Sequence, residues 1–150
     1  LTIGNGNNAI IMGKNTFESI RCKSLKSRDN LILSKTSNID SNHGQNITKS
    51  FNNITLLEEF VKSKNYDEIW IIGGAQIYEY FLNSYPKNGI LSINKIVVTY
   101  VDKEIECDTF FPKIDTNIYR FKSQEIHETE HGLYDFNIFD RVYVGKCHNV

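Results

Sequence analysis

Three stretches of this sequence place glycine or a short polar residue immediately after an apolar run. Ala9–Met12 leads into Gly13-Lys14-Asn15-Thr16, Asn30–Leu33 into Ser34-Lys35, and Ile69-Trp70-Ile71-Ile72 into Gly73-Gly74-Ala75-Gln76. Glycine at the carboxyl end of a strand lets a backbone approach a ligand more closely than any side chain would permit. A helix starting behind it offers N–H groups and the positive end of its dipole, which suit a phosphate. Lys14 and Lys35 add cations at two of the three places. The chemistry on offer is anion binding, although a tight strand-to-helix turn without any ligand reads equally well from Gly73-Gly74 alone, and a lysine taken singly reads as a solvated surface charge. Gly4-Asn5-Gly6-Asn7-Asn8-Ala9 has the spacing of a dinucleotide fingerprint, but it precedes a strand instead of following one, so it is expected to be a loop.

Other chemistry is poorly provided for. Cys22, Cys107 and Cys147 are odd in number and far apart, so they predict reduced thiols, with neither a disulfide framework nor a metal site. The sequons at Asn46-Ile47-Thr48 and Asn53-Ile54-Thr55 read as chance without a secretory signal.

The elements that must carry these residues alternate. Ala9–Met12, Asn30–Leu33 and Glu68–Ile72 lack a polar face and predict parallel strands buried on both sides. Asn15 or Thr16 is expected near the N-cap of a short helix holding Phe17 and Ile20, followed by a surface loop over Arg21–Ser27. Thr36–Gln45 reads as an exposed connection and Ile47–Phe51 as a short strand. Asn52 or Asn53 caps a helix whose Leu56, Leu57, Phe60 and Val61 share one face, and a further helix carries Ile77, Tyr80 and Phe81. Lys95–Val101 is a β-branched strand; Tyr119–His127 and Tyr134–Val144 form an antiparallel hairpin turning near His131-Gly132. This order predicts an α/β fold with a mainly parallel sheet and an antiparallel edge. Ligands then sit at the strands' carboxyl ends, with Gly13–Thr16, Ser34-Lys35, Gly73–Gln76 and Thr99 along one rim.

At 150 residues, with 40% hydrophobic and 23% charged residues, the chain predicts a single globular domain. A net charge of −1 with scattered lysines gives no footprint for nucleic acid. No apolar run nears the roughly 18 residues needed to span a bilayer, so no membrane partner and a cytoplasmic location are expected.

Four stretches, in order and at compatible spacing, together resemble dihydrofolate reductase. They are Ala9–Ile20, Leu25–Ser34, Ile71–Tyr78 and Asp108-Thr109-Phe110-Phe111-Pro112. The resemblance implies a dihydrofolate reductase-like fold and NADPH-dependent reduction of 7,8-dihydrofolate to tetrahydrofolate, by hydride transfer to C6 with protonation at N5. It implies that antifolate inhibitors bind as well. Gly73-Gly74 resembles the family's glycine pair, whose peptide is cis and lies beside the nicotinamide and pyrophosphate; Ile72, Ala75, Gln76, Ile77 and Tyr78 would join it at the cofactor. Gly13, Lys14, Asn15 and Thr16 resemble the segment holding the cofactor's phosphates, with Leu33, Ser34 and Lys35 near the adenosine 2′-phosphate. Lysines there favour NADPH over NADH through charge-assisted hydrogen bonds.

On the substrate side, Arg28 aligns with the arginine that grips the α-carboxylate of the glutamate tail, a task for which a planar fork is suited. Ile20 and Leu25 resemble contacts to the aminobenzoyl portion, with core packing as their plain alternative. Ser27 stands where the family often has glycine. Thr99 resembles the threonine supporting the substrate-binding carboxylate.

That carboxylate itself has no counterpart here. Glu18, Glu58, Glu59, Asp67, Glu68, Asp102 and Asp108 are all expected on helix surfaces, strand ends or loops away from a pterin. Nor does the family's amino-terminal portion, with its first central strand, nicotinamide loop and carboxylate-bearing helix, have a counterpart. The expectation is therefore a piece of a longer polypeptide, inactive alone. A fused thymidylate synthase, present in some relatives, is neither indicated nor excluded. The competing readings are an inert NADPH-binding or interaction module and a riboflavin-pathway reductase, and Arg28 argues against the latter.

Overall fold

The computed structural model describes residues 6–130 and 132–142. Cys147, His131 and the end of the predicted Tyr134–Val144 strand lie outside the described residues, as does the start of the amino-terminal loop. The chain groups into two compact units, Leu1–Leu91 and Ser92–Val150.

In the first unit, β1 (Asn8–Gly13) leads into a short helix α1 (Lys14–Ser19), and then β2 (Asp29–Leu33), β3 (Asp40–His43) and β4 (Asn46–Phe51) follow. Helix α2 (Ile54–Lys64), strand β5 (Glu68–Ile71) and helix α3 (Ala75–Glu79) complete it, with α3 running on as a π-helical turn over Tyr80–Ser84. The sheet order is β3-β4-β2-β1-β5. All its pairings are parallel except the β3–β4 hairpin at one edge. Strands β1 and β2 are central, and Ala9, Ile10, Ile11, Met12, Leu31 and Ile32 are wholly shielded from solvent. This is the two-faced burial that a run without polar positions requires. Ile10, Met12, Ile32 and Phe17 form one core cluster, against which Ile20, Leu25, Ile39, Trp70 and Ile72 pack.

Four local expectations are corrected. Among the described residues strand β5 pairs with β1 alone, at the end of the strand order, and Ile69, Trp70 and Ile71 are half-buried, not enclosed on both sides. Strand β3 arises inside the stretch read as a loop. Its residues are polar, and it exists because backbone pairing to β4 fixes it, with Asp40 opposite Lys49 through His43 opposite Asn46. The N-cap of α1 is Gly13, with no side-chain cap, in place of Asn15 or Thr16. In α2 the Asn53 cap is as expected, its side chain accepting from Leu56 N at 3.0 Å. Leu57 and Val61 are buried there, whereas Leu56 is 46% exposed because it falls off the buried stripe.

In the second unit, β6 (Lys95–Val101), β7 (Tyr119–Thr129) and β8 (Gly132–Arg141) form an antiparallel sheet in the order β6-β8-β7. The hairpin closes with Thr129 opposite Gly132, and a register shift falls between Phe121 and Ser123. No helix among the described residues is long and apolar enough to cross a membrane.

Candidate functional site

Parallel pairing puts the carboxyl ends of β1, β2 and β5 on one rim, and specific contacts draw them together. Gly13 N donates to Gly73 O at 2.8 Å, and Ile72 N to Ile11 O at 2.9 Å. Side chains would obstruct this approach. A Cβ on Gly13 would lie 3.0 Å from Ile77 Cγ1, one on Gly74 3.3 Å from Thr16 Oγ1, and one on Gly73 2.7 Å from the Tyr78 ring. Gly73 also has φ +96°, a conformation that side chains rarely tolerate. The Gly73–Gly74 peptide is cis, as the resemblance implied. Helix α3 begins directly behind it, with Ile77 N and Tyr78 N both bonded to Gly74 O at 2.9 and 3.0 Å. Burial raises the Tyr78 hydroxyl pKa above its ordinary value.

The third strand end joins through Lys14, whose ammonium donates to Thr36 Oγ1 at 3.4 Å and lies 3.6 Å from Glu18. Both partners of that ion pair are about half exposed, so it restrains Lys14 only weakly. Ser34 is buried, and its hydroxyl is already engaged. It donates to Ser37 Oγ at 2.9 Å and accepts from Thr36 N and Ser37 N, shaping the turn more than reaching outward. Lys35 is exposed and lines a groove of about 600 Å³ with Lys49, Asn52 and Phe60. Sequence reading missed Lys49, since only the β2–β4 pairing brings its strand beside β2. It forms an ion pair with Asp40.

A second cavity, of about 980 Å³, is lined by Leu25, Arg28, Asn30, Ile39 and Thr48, among others. Arg28 is 8% exposed, and its Nε donates to Lys26 O at 3.0 Å, which orients the guanidinium. Ser27 before it has φ +63°, so this chain keeps a glycine-like backbone with a serine. Leu25 lines the cavity while packing on the core; Ile20 packs on the core without lining it.

No carboxylate lines this cavity among the described residues. The acids considered from sequence are engaged elsewhere or exposed. Glu58 bonds to Tyr85 OH, Asp67 accepts from Asn7 N at 2.7 Å, and Glu68 accepts from Trp70 Nε1 at 3.0 Å. Asp29, not considered there, is 4% exposed and accepts from Ile47 N at 2.8 Å and Tyr66 OH at 2.6 Å. Burial and this carboxylate push the Tyr66 pKa far upward.

Thr99 lies exposed on β6 opposite Phe136, in the three-stranded sheet of the second unit. Among the described residues no group of three or more His, Cys, Asp or Glu could hold a metal.

The family model for dihydrofolate reductase matches residues 2–141. The chain is 32% identical to the viral dihydrofolate reductase of Saimiriine herpesvirus 2 (strain 488) over 150 residues, covering 94% of this chain and 68% of that protein. It is 32% identical to the dihydrofolate reductase of Sus scrofa over 143 residues, covering 89% and 74%. It is likewise 32% identical over 142 residues to bifunctional dihydrofolate reductase-thymidylate synthase 1 of Arabidopsis thaliana, covering 90% of this chain and 26% of that longer protein.

Proposed function

The chain belongs to the dihydrofolate reductase family, and on that premise we propose that it serves NADPH-dependent reduction of dihydrofolate to tetrahydrofolate in the cytoplasm. The reading treats both compact units as one domain, and a family match that runs over residues 2–141, through both units, supports this. The observation that carries the reading is the closure of two glycine turns upon each other by the Gly13 N to Gly73 O hydrogen bond, at 2.8 Å.

Without side chains at Gly13, Gly73 and Gly74 the two turns close upon Ile77, Thr16 and Tyr78, and such bare backbone at strand ends suits the close approach of a phosphate-bearing cofactor. NADPH supplies the hydride when bound. Gly13, Thr16, Gly73 and Gly74 hold the walls of that cradle. Lys14 presents a cation at its rim, and Lys35 with Lys49 presents two more along the neighbouring groove, where a 2′-phosphate gains charge-assisted hydrogen bonds. Arg28 offers a bidentate partner to the glutamate tail, and Leu25 an apolar wall beside it. These groups bind and orient; none of them is placed to deliver a proton to N5.

That no carboxylate lines the Arg28 cavity among the described residues favours a second reading, an NADPH-binding module without turnover. Energy transfer from Trp70, the only tryptophan, to NADPH separates the two, together with binding of methotrexate-like antifolates and turnover of dihydrofolate. NADPH and antifolate binding supports the enzyme reading, and NADPH binding alone supports the module. Failure to bind NADPH sinks both.

A further inference from the structure

Asn30 is 1% exposed at the wall of the Arg28 cavity, and its side-chain amide bonds to the loop that carries Leu25 and Arg28. Its Oδ1 accepts from Leu25 N at 2.8 Å. Its Nδ2 donates to Leu25 O at 2.9 Å and to Arg28 O at 3.0 Å. The loop is fastened independently at its start, where the Ser24 and Thr48 hydroxyls bond to each other. Between these points lies Ser27 in a left-handed conformation, which leaves the turn dependent on outside restraint. A rigid amide anchored in the central strand β2 thus fixes both ends of the Leu25–Arg28 turn.

We propose that Asn30 is the positioning residue for recognition of the substrate's tail carboxylate, acting through the backbone of Leu25 and Arg28 on the aim of the Arg28 guanidinium. This inference rests on the reading of Arg28 given above. A two-point contact between a guanidinium and a carboxylate depends steeply on orientation. A turn freed by loss of Asn30 therefore discriminates carboxylate from its neutral analogue less well.

The test uses the 150-residue chain and two probes, p-aminobenzoyl-glutamate and the same compound with its α-carboxylate converted to carboxamide. Wild type is expected to prefer the carboxylate, and Arg28→Ala to abolish that preference. Asn30→Ala is expected to reduce the preference about tenfold, comparable to losing one hydrogen bond to a charged group, with NADPH affinity unchanged. Asn30→Asp keeps the acceptor for Leu25 N while losing both donated bonds, and it serves if the alanine variant does not fold. A role in folding alone would weaken both probes equally and leave their ratio intact, which overturns the proposal. So does full additivity of Asn30→Ala with Arg28→Ala. If wild type itself shows no preference, the reading of Arg28 fails and the inference falls with it; a wild-type preference unaltered at Asn30 removes the inference alone.

Discussion

Glycine matters at the rim for two separable reasons, the space a Cβ would occupy and the sign of φ. At Gly73 both apply, with φ +96° and the Tyr78 ring 2.7 Å from the Cβ position. At Gly44, between β3 and β4, φ is +68° but nothing lies within 4 Å. Gly44→Ala is therefore expected to cost about 1 kcal/mol, the conformational part only. Gly73→Ala is expected to cost about 2–3 kcal/mol and, on the proposed cofactor reading, to weaken NADPH binding at least roughly tenfold, since the Tyr78 ring beside the glycine turn must shift. Urea midpoints and cofactor titrations read both, and equal losses at the two sites would contradict the steric account. The Gly73 signal was visible as a doublet after an apolar run. The role of Asn30 was not, because its partners are main-chain atoms of residues that sequence alone does not place around it.

Helix α2 shows what periodicity settles and what it leaves open. Asn53 was readable as a cap, and Leu57 and Val61 as its buried stripe, because spacing along a helix fixes which side chains share a face. Spacing puts Leu56 on that face too, yet only packing against the sheet decides where a stripe ends. Asn53→Ala should cost about 1 kcal/mol and Leu57→Ala about 2–5 kcal/mol. Leu56→Ala should stay within about 0.5 kcal/mol. Thermal unfolding followed by circular dichroism checks the order, and a Leu56 effect matching that of Leu57 would refute the observed burial. Strand β3 is the converse case, a polar segment made a strand by its neighbour and thus silent in a search for apolar runs.

For the molecule as a whole, buried tyrosines predict the limit at high pH. Burial, reinforced by the hydrogen bond to Glu58, pushes the Tyr85 hydroxyl from 10.0 up to about 12. Burial also raises Tyr66, Tyr78 and Tyr119. The folded state holds these protons more tightly than the unfolded chain does. Their stabilisation is therefore complete below pH 10 and is lost as pH rises from there through 12, the value for Tyr85. The tyrosinate absorbance of these four residues should appear together with unfolding, and Tyr85→Phe should make the loss less steep. Ionisation of these four tyrosines near pH 10 in a still-folded chain would contradict this.

The sequence by itself determined the strand and helix order of the parallel sheet, the α2 cap and the glycine turns. These follow from local geometry, in which spacing along the chain dictates face, turn and cap. Tertiary structure alone decided that β5 ends the strand order of its sheet among the described residues, that Thr99 pairs within the β6-β8-β7 sheet, and that Lys49 shares a groove with Lys35. It also decided that Asn30 clamps the Arg28 loop. Each of these depends on which strand pairs with which, and long-range pairing is set by the burial of whole faces, which no single stretch of the chain records.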